Sequence, residues 1–247
     1  MQKARRIMNQ ATDHSPWRSA MQGVRESIPL LGGYVPVSLS FGLVAMQAGV
    51  STWEVAVISV LIYAGASQFL FVGMVAAGSP LWLVVCMTLL INVRHVVYGP
   101  NIAAWLPQSR HWYWLMHGLT DQVFALAHTR LPQLAAEVRF SWFAGSALLA
   151  WGVWVVGTVI GATAGEAVTA RWPLLGEVMP FALPALFLTM VAPRVTDKRW
   201  ALALGGTIAA ALLLTLYGLS NVAIPLAAAC GALCFYLIPF QPKKITA

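Results

Sequence analysis

The stretch LWLVVCMTLLINVRHVVYGP, residues 81–100, joins a long apolar run to a short polar segment that contains Asn92, Arg94 and His95. Its first eleven residues are apolar apart from one threonine. A run of about twenty mostly apolar residues is long enough to cross the hydrocarbon core of a bilayer as a helix. The stretch therefore predicts a membrane-spanning helix with an arginine inside it.

The whole chain has the composition of a membrane protein: 59% of its residues are hydrophobic and 9% are charged. Its mean hydropathy of +0.73 exceeds that of ordinary soluble domains. The pattern predicts an all-α polytopic membrane helix bundle, with several broken or kinked helices and about eight spans, at residues 25–46, 53–76, 81–105, 112–130, 140–164, 178–193, 200–217 and 221–239. We expect one transmembrane transporter domain at 25–240, between a cytoplasmic N-terminal segment, 1–24, and a cytoplasmic tail, 241–247.

The basic residues are unevenly distributed between the two predicted sides of the membrane. With the N-terminus in the cytoplasm, twelve of the fifteen Lys and Arg residues are cytoplasmic, Arg110 and Arg171 are external, and Arg94 is inside a span. Cytoplasmic loops are enriched in Lys and Arg, so both termini are predicted to be cytoplasmic and the connections 47–52 and 166–177 external. Basic residues dispersed in this way also argue against nucleic-acid binding, which needs them clustered on one face.

Glycine and proline interrupt three predicted spans, in GGYVPVSLSFG (32–42), YAGASQF (63–69) and MPFALPALF (179–187). Such residues free backbone groups inside a membrane helix. One interpretation is that they make kinks and close helix contacts, because small residues favour helix packing in lipid. The other is that the broken helices form a substrate site, as they do in many transporters.

Ionisable residues within spans are rare and costly, and Arg94 is the deepest strong charge. His117, Asp121 and His128 are spaced four and seven apart, which predicts that they share one helix face. Arg94 and Asp121 are predicted partners, either as a structural ion pair or lining a polar cavity for a charged or zwitterionic solute. His117, Asp121 and His128 span nearly three helical turns, which is too far for three ligands of one metal ion, so no metal site is predicted. The sequence has no GxxxxGK[ST] phosphate loop, so no ATP binding by this chain is predicted, and no other cofactor is expected.

Several motifs occur together in order: GYVPVSLSFGL, IYAGASQF, VRHVVYGP, GLTDQVFA and FALPALF. In these stretches the chain resembles the AzlC family, the large subunit of branched-chain amino-acid exporters, over about residues 25–240. The resemblance implies an inner-membrane exporter of valine, leucine and isoleucine, with methionine as a further candidate. It also implies a heteromeric complex with a small AzlD-type membrane subunit. The family's motif residues correspond here to Tyr63, Gly65, Ser67, Gln68, Arg94, His95, Tyr98, Gly99, Pro100, Asp121 and Phe124.

The predicted substrate-binding and translocation residues combine these motifs with the polar residues of the interrupted spans: Pro36, Ser38, Tyr63, Gly65, Ser67, Gln68, Asn92, Arg94, His95, Tyr98, His117 and Asp121. A zwitterionic substrate needs donors for its carboxylate, which Arg94 or freed amides near Gly65 and Pro36 would provide. Its ammonium group needs acceptors, which Asp121 and freed carbonyls would provide.

Two other function classes remain open at the level of sequence. Ser67 and His117 suggest a Ser–His dyad of an intramembrane hydrolase, which needs the base within hydrogen-bond reach of the nucleophile. A passive channel for small solutes needs a continuous polar pore, whereas the polar residues here sit between apolar span ends. A secondary transporter without catalytic residues is the favoured interpretation.

Overall fold

The computed structural model describes residues 15–107, 116–192, 195 and 198–238. The predicted N-terminal segment up to residue 14, residues 112–115 of the predicted fourth span, and the tail 241–247 lie outside these residues. The described residues are helical and contain no β-strand, which confirms the all-α class. The α-helices are α1 Pro16–Ser27, α2 Leu31–Gln47, α3 Thr52–Leu61, α4 Gly65–Ala76, α5 Leu81–Asn92, α6 Arg94–Ala103, α7 Asp121–Arg130, α8 Ala136–Arg171, α9 Pro173–Val178, α10 Ala182–Val191, α11 Lys198–Leu216 and α12 Ser220–Leu237.

Four helical segments within the described residues are long and apolar enough to cross a membrane: Pro16–Gln47, Leu81–Ala103, Ala136–Arg171 and Lys198–Leu216. Shorter apolar helices accompany them at Thr52–Leu61, Gly65–Ala76, Pro173–Leu186 and Leu226–Leu237. The second predicted span is therefore two half-length helices, α3 and α4, separated by residues 62–64. The third is likewise divided at Val93, between α5 and α6. These breaks confirm a membrane helix bundle with interrupted helices. The interruption predicted at 32–42 is wrong, because α2 runs from Leu31 to Gln47 with Pro36 inside it.

The prediction that His117, Asp121 and His128 share one helix face is wrong. His117 lies in a turn, and α7 begins only at Asp121. Thr120 has extended backbone, with φ −100° and ψ 175°, and its side chain accepts a hydrogen bond from the amide of Val123. A threonine that caps a helix in this way fixes its first residue, so His117 cannot belong to the same helix.

The connection at 166–177 is mostly helical rather than an extended loop, and its external position stays a prediction. Helix α8 continues to Arg171, and α9 begins at Pro173. The AGEAVTA run, 164–170, contains residues that favour or tolerate a helix, so nothing in it stops α8. Proline is suited to the first turn of a helix, which is where Pro173 stands in α9.

The chain forms two compact units, Met1–Leu183 and Pro184–Ala247. Within the first unit, helices α1, α2 and α3 pack along the 36-residue helix α8. Within the second, α11 packs against α12, where Arg199 donates from Nη2 to the carbonyl oxygen of Phe235 at 2.8 Å. The residues discussed below as a candidate site all belong to the first unit.

Glycines allow the backbones of α2 and α8 to approach closely. A Cβ atom at Gly161 would lie 2.1 Å from the carbonyl oxygen of Leu39, and one at Gly42 would lie 2.1 Å from that of Thr158. Both distances are far below van der Waals contact, so only glycine fits at either position. Packing through small residues is the usual means of holding helices together in lipid. The contact fixes α8 beside α2, and both helices contribute to the site.

Helix α1 is anchored to the same scaffold. Arg130 donates from Nε and Nη2 to the two carboxylate oxygens of Glu26, each at 2.8 Å, and Trp142 Nε1 donates to Glu26 at 2.9 Å. The hydroxyl of Ser27 donates to that of Ser146 at 2.6 Å. The boundary expected at residue 24 therefore falls inside a helix that is packed on α8.

Candidate functional site

The break between α3 and α4 centres on Tyr63, which is buried and has a φ of 38°. Positive φ is uncommon for a residue other than glycine, and strained backbone of this kind clusters at functional sites. The carbonyl oxygen of Val60, in the last turn of α3, accepts hydrogen bonds from His117 Nε2 at 2.8 Å and from Trp151 Nε1 at 3.3 Å. Side chains from two other segments thus satisfy a backbone group beside the break.

Helix α4 begins without a side-chain cap, because its N-cap residue is Ala64. The first amides of a helix have no partner within the helix and carry a partial positive charge. Gly65 lets this end of the helix approach the indole of Trp154, since a Cβ atom at Gly65 would lie 2.7 Å from Trp154 Cη2. An uncapped helix start is therefore packed against an aromatic side chain of α8.

Polar side chains of α4 connect it directly to α5 and α3, and through α3 to α8. The hydroxyl of Ser67 donates to the carbonyl oxygen of Ala64 at 2.8 Å, and Asn92 Nδ2, at the end of α5, donates to that hydroxyl at 3.1 Å. Gln68 is fully buried, and its Nε2 donates to Ser59 of α3 at 3.1 Å. Ser59 in turn donates to Thr158 of α8 at 3.1 Å. Buried networks of this kind hold helices in a defined arrangement.

Arg94 and Asp121 form the predicted ion pair, which the structure confirms. Arg94 Nη1 lies 2.7 Å from Asp121 Oδ2, and their side chains are 22% and 12% exposed. Each is the first residue of its helix, α6 and α7. Tyr98 donates to Asp121 Oδ1 at 2.8 Å, and its ring stacks on Phe124 at a centroid distance of 4.2 Å. The pair is thus partly accessible and framed by aromatic rings.

His95 lies beside this pair, between two backbone carbonyl oxygens. Its Nδ1 is 3.1 Å from the oxygen of Asn92, and its Nε2 is 3.0 Å from the oxygen of Leu119. The ring therefore connects the end of α5 to the segment that leads into α7. Residues 119–122 also contain Asp121, Thr120 and Gln122, which contact other helices. We call this short segment, 119–122, the junction of the site.

Sequence reasoning missed Tyr34, Thr120 and Gln122 at this junction. The hydroxyls of Tyr34 and Thr120 are hydrogen-bonded to each other, and Tyr34 donates to Gln122 Oε1 at 3.2 Å. The signal was present, because Thr-Asp at 120–121 is a helix-start pattern. This pattern would have placed Thr120 and Gln122 at the start of α7 and excluded His117 from that helix, whereas nothing local indicates that Tyr34 of α2 reaches them.

Several buried polar atoms at the site have no hydrogen-bond partner among the described residues: the donors Arg94 Nε and Trp154 Nε1, the hydroxyl of Tyr63, and the acceptor Gln68 Oε1. The Tyr63 hydroxyl lies near those of Tyr34 and Thr120 without meeting hydrogen-bond geometry. An unsatisfied buried polar group costs about 1–3 kcal/mol. Such a cost is tolerated where the group has a functional partner.

Not every predicted site residue joins these contacts. Pro36 is exposed on α2. Ser38 is buried, and its hydroxyl donates to the carbonyl oxygen of Val35 at 3.1 Å within the same helix. It also lies against Gly157, where a Cβ atom would be 2.0 Å from Ser38 Oγ. Ser38 thus serves the packing of α2 against α8.

The hydrogen bonds of Ser67 and His117 do not join the two residues. Ser67 is bonded to Ala64 and Asn92, and His117 Nε2 is bonded to Val60. The structure therefore gives the Ser–His dyad no support. Among residues 15–107, 116–192, 195 and 198–238, no group of three or more His, Cys, Asp or Glu side chains is arranged to hold a metal ion.

The helices that build this site coincide with the region matched by a known family. The AzlC protein family matches residues 29–168, which include Tyr34, the break at 62–64, the Arg94–Asp121 pair and Trp154. The chain belongs to the AzlC family. This membership confirms the resemblance seen in the sequence motifs and identifies the chain as a membrane protein of a transport family.

Three relatives of this AzlC-family chain cover most of its length. It is 37% identical to the inner membrane protein YgaZ of Escherichia coli K12, over 87% of this chain and 86% of that protein. It is 33% identical to an uncharacterized membrane protein of Archaeoglobus fulgidus, over 89% and 96%. It is 24% identical to the branched-chain amino acid transport protein AzlC of Bacillus subtilis 168, over 93% and 90%. No solved structure matches the chain.

Proposed function

We propose that this chain is a secondary transporter that exports branched-chain amino acids across the inner membrane. Valine, leucine and isoleucine are the expected substrates, and methionine is a further candidate. The observation that carries the proposal is the partly accessible Arg94–Asp121 pair, formed by the first residues of α6 and α7 beside the break at Val93. Broken helices with charged or uncapped ends form substrate sites in many transporters. The name of the Bacillus subtilis relative supports the substrate class.

The charges of the pair match those of a zwitterionic amino acid. The guanidinium of Arg94 suits a carboxylate, because its planar fork binds both oxygens at once. In the structure Asp121 occupies part of this fork, and Arg94 Nε has no partner among the described residues. We infer that the substrate's carboxylate competes with Asp121 for Arg94, and that Asp121 or Gln68 Oε1 then accepts from the substrate's ammonium group.

Aromatic rings close to the break favour an apolar substrate side chain. The ring of Trp154 packs edge-on against Tyr34 and Tyr63, at centroid distances of 5.8 and 6.2 Å. A lysine or glutamate side chain placed among these rings would bring an unpaired charge into an apolar setting, which is strongly unfavourable. Leucine, valine and isoleucine carry no such charge, so the site favours them.

The experiment that tests the proposal is counterflow in liposomes that contain the purified chain, with labelled leucine, valine, lysine and glutamate. We expect leucine and valine to be exchanged and lysine and glutamate to be excluded. Equal uptake of all four amino acids would contradict the substrate class. Accumulation of leucine against its gradient distinguishes a coupled transporter from a passive channel, because a channel only equilibrates its solute.

The small AzlD-type subunit enters the same experiment as a second component. The family resemblance implies that this chain is the large subunit of a two-component exporter. We therefore expect transport to be much faster when the two proteins are reconstituted together than when either is alone. A chain that transports as fast alone as with the small subunit would contradict this requirement, while leaving the substrate class unaffected.

A further inference from the structure

His95 contacts more acceptors than a neutral histidine can serve. Its Nδ1 and Nε2 lie 3.1 and 3.0 Å from the carbonyl oxygens of Asn92 and Leu119, and a carbonyl oxygen only accepts hydrogen bonds. A neutral imidazole has one N–H group and one bare nitrogen, whereas the imidazolium ion has two N–H groups. Both contacts are therefore hydrogen bonds only when His95 is protonated. In the neutral form, one nitrogen lone pair faces an oxygen lone pair.

The surroundings of His95 can accommodate this positive charge. The ring of Tyr98 on α6 lies 5.8 Å from that of His95, and Arg94, the preceding residue, is paired with Asp121 of α7 at 2.7 Å. The carbonyl oxygen of Asn92 belongs to the last residue of α5, where the helix dipole favours a cation, whereas His95 itself is the second residue of α6, where the dipole opposes one. The two carbonyl oxygens are therefore the groups that hold a proton on this ring.

We propose that His95 is the proton-binding site that couples amino-acid transport to proton flow. The proposal rests on the transport function proposed above. When the proton is bound, the ring ties the end of α5 to residues 119–122, which hold Asp121 against Arg94. When the proton leaves, one of the two contacts is lost and the junction is released. The substrate's carboxylate then competes for Arg94 against a less firmly held Asp121.

The proton balance of this step is simple. One N–H bond of the imidazole forms when a proton arrives from the outside, and the same bond breaks when the proton leaves to the cytoplasm. The amino acid moves outward in the same cycle, and no electron transfer is needed. Proton entry down its gradient thus supplies the free energy that concentrates the amino acid outside.

The other histidines in the described residues do not have this arrangement. His117 donates from Nε2 to the carbonyl oxygen of Val60, a contact that a neutral ring with its proton on Nε2 makes fully. His128 is exposed on α7, beside the ring of Phe124 at a centroid distance of 5.5 Å. His128 therefore offers a matched control, because it is a histidine on a neighbouring helix whose ring nitrogens link no two elements among the described residues.

The test compares two transport modes of the reconstituted chain, with the small subunit present. Leucine exchange at equal pH on both sides requires no net proton movement, whereas leucine accumulation under an imposed pH gradient does. We expect the wild-type chain and His128→Gln to perform both. Because His95 belongs to the site, we expect His95→Gln to exchange leucine more slowly than the wild-type chain but still measurably, since its amide can donate to one of the two carbonyl oxygens. It should lose accumulation and the leucine-dependent pH change reported by a dye inside the liposomes, because the amide takes up no proton.

The possible failures are distinguishable. A wild-type chain that exchanges no branched-chain amino acid counts against the proposed function. Wild-type exchange without any response to a pH gradient counts against proton coupling alone. Full accumulation by His95→Gln overturns the assignment of His95 as the coupling site.

A spectroscopic measurement covers the case in which His95→Gln does not fold. In ¹⁵N-histidine spectra of the wild-type chain, the signals of the other histidines are identified by replacing each in turn, which leaves those of His95. Two protonated ring nitrogens in the substrate-free protein support the proposal. One bare nitrogen at every pH at which the protein transports would overturn it.

Discussion

At the scale of single residues, Arg94 is tolerated inside an apolar chain because its charge is paired in a defined geometry. Asp121 lies 2.7 Å from Nη1, and Tyr98 donates to the other carboxylate oxygen at 2.8 Å. An arginine at the centre of a membrane helix costs about 2.5–3.5 kcal/mol on insertion scales. The pair offsets part of this cost, but it leaves Arg94 Nε without a partner among the described residues. A purely structural pair would gain from satisfying that group.

The first prediction separates a structural from a functional role of this pair. Arg94→Gln or Asp121→Asn alone leaves an unpaired charge that is largely buried, which we expect to destabilise the protein by up to about 3–5 kcal/mol, the cost for a fully buried pair. The double variant removes both charges and approximately keeps the shapes of the side chains. We expect it to fold and assemble but to lose leucine exchange, as measured by thermal unfolding in detergent and by counterflow. Wild-type exchange by the double variant would mean that the pair only holds helices together.

The second prediction concerns the hydroxyl of Tyr63, which is buried and has no partner among the described residues. Tyr63→Phe removes an unsatisfied polar group, so we expect stability to stay constant or to rise by up to about 1–3 kcal/mol. If the hydroxyl binds the substrate's carboxylate, the leucine concentration at half-maximal exchange rises in the same variant. Unchanged concentration dependence would exclude this hydroxyl from substrate binding.

Tyr34 provides the matched control for that variant. Its hydroxyl is hydrogen-bonded to Thr120 and Gln122, so Tyr34→Phe removes satisfied bonds and strands their partners. We expect this variant to lose about 1 kcal/mol of stability. Both variants are measured in the same detergent. A loss of stability in Tyr34→Phe without a loss in Tyr63→Phe is the expected result, and equal losses would contradict the difference between the two hydroxyls.

At the scale of helices, the break between α3 and α4 could be predicted from sequence and the break at Val93 could not. The motif YAGASQF places Gly65 within an apolar run, and glycine marks weak points of helices. Residues 90–95 contain neither glycine nor proline. In the structure Asn92 bonds to Ser67 of α4, and His95 bonds to the carbonyl oxygen of Leu119. These contacts come from distant parts of the chain, so local pattern gave no sign of them.

The third prediction tests the close contact between α2 and α8. Gly161→Val puts a side chain where a Cβ atom alone would lie 2.1 Å from the carbonyl oxygen of Leu39. The helices must separate, which we expect to cost at least about 1–3 kcal/mol. Gly152→Val, on the same helix, is the control, because a Cβ atom there meets nothing within 4 Å. Equal thermal stability of the two variants in detergent would contradict the importance of this contact.

At the scale of the whole molecule, the apolar surface agrees with a lipid environment. Many large apolar side chains are exposed, among them Leu89 on α5, Val96 on α6 and Leu212 on α11. In water such surface would drive aggregation, whereas lipid tails solvate it. The composition alone predicted this class of fold. The contacts between polar groups inside the bundle depend on where each helix begins and ends, and composition does not specify those positions.

The last prediction is the orientation of the molecule, with both termini in the cytoplasm. Twelve of the fifteen Lys and Arg residues fall on the cytoplasmic side in this orientation, and translocating basic loops across the membrane is disfavoured. We expect a reporter enzyme that is active only in the cytoplasm to be active when fused after Ala247, and a reporter that is active only outside the cytoplasm to be inactive there. In a chain without its native cysteines, Gln47→Cys should react with a membrane-impermeant maleimide added from outside, because Gln47 is exposed at the end of α2. The opposite orientation would follow if the reporter were active only outside, or if Gln47→Cys were labelled only after the membrane is opened. In that orientation His95 would also receive its proton from the other side of the membrane.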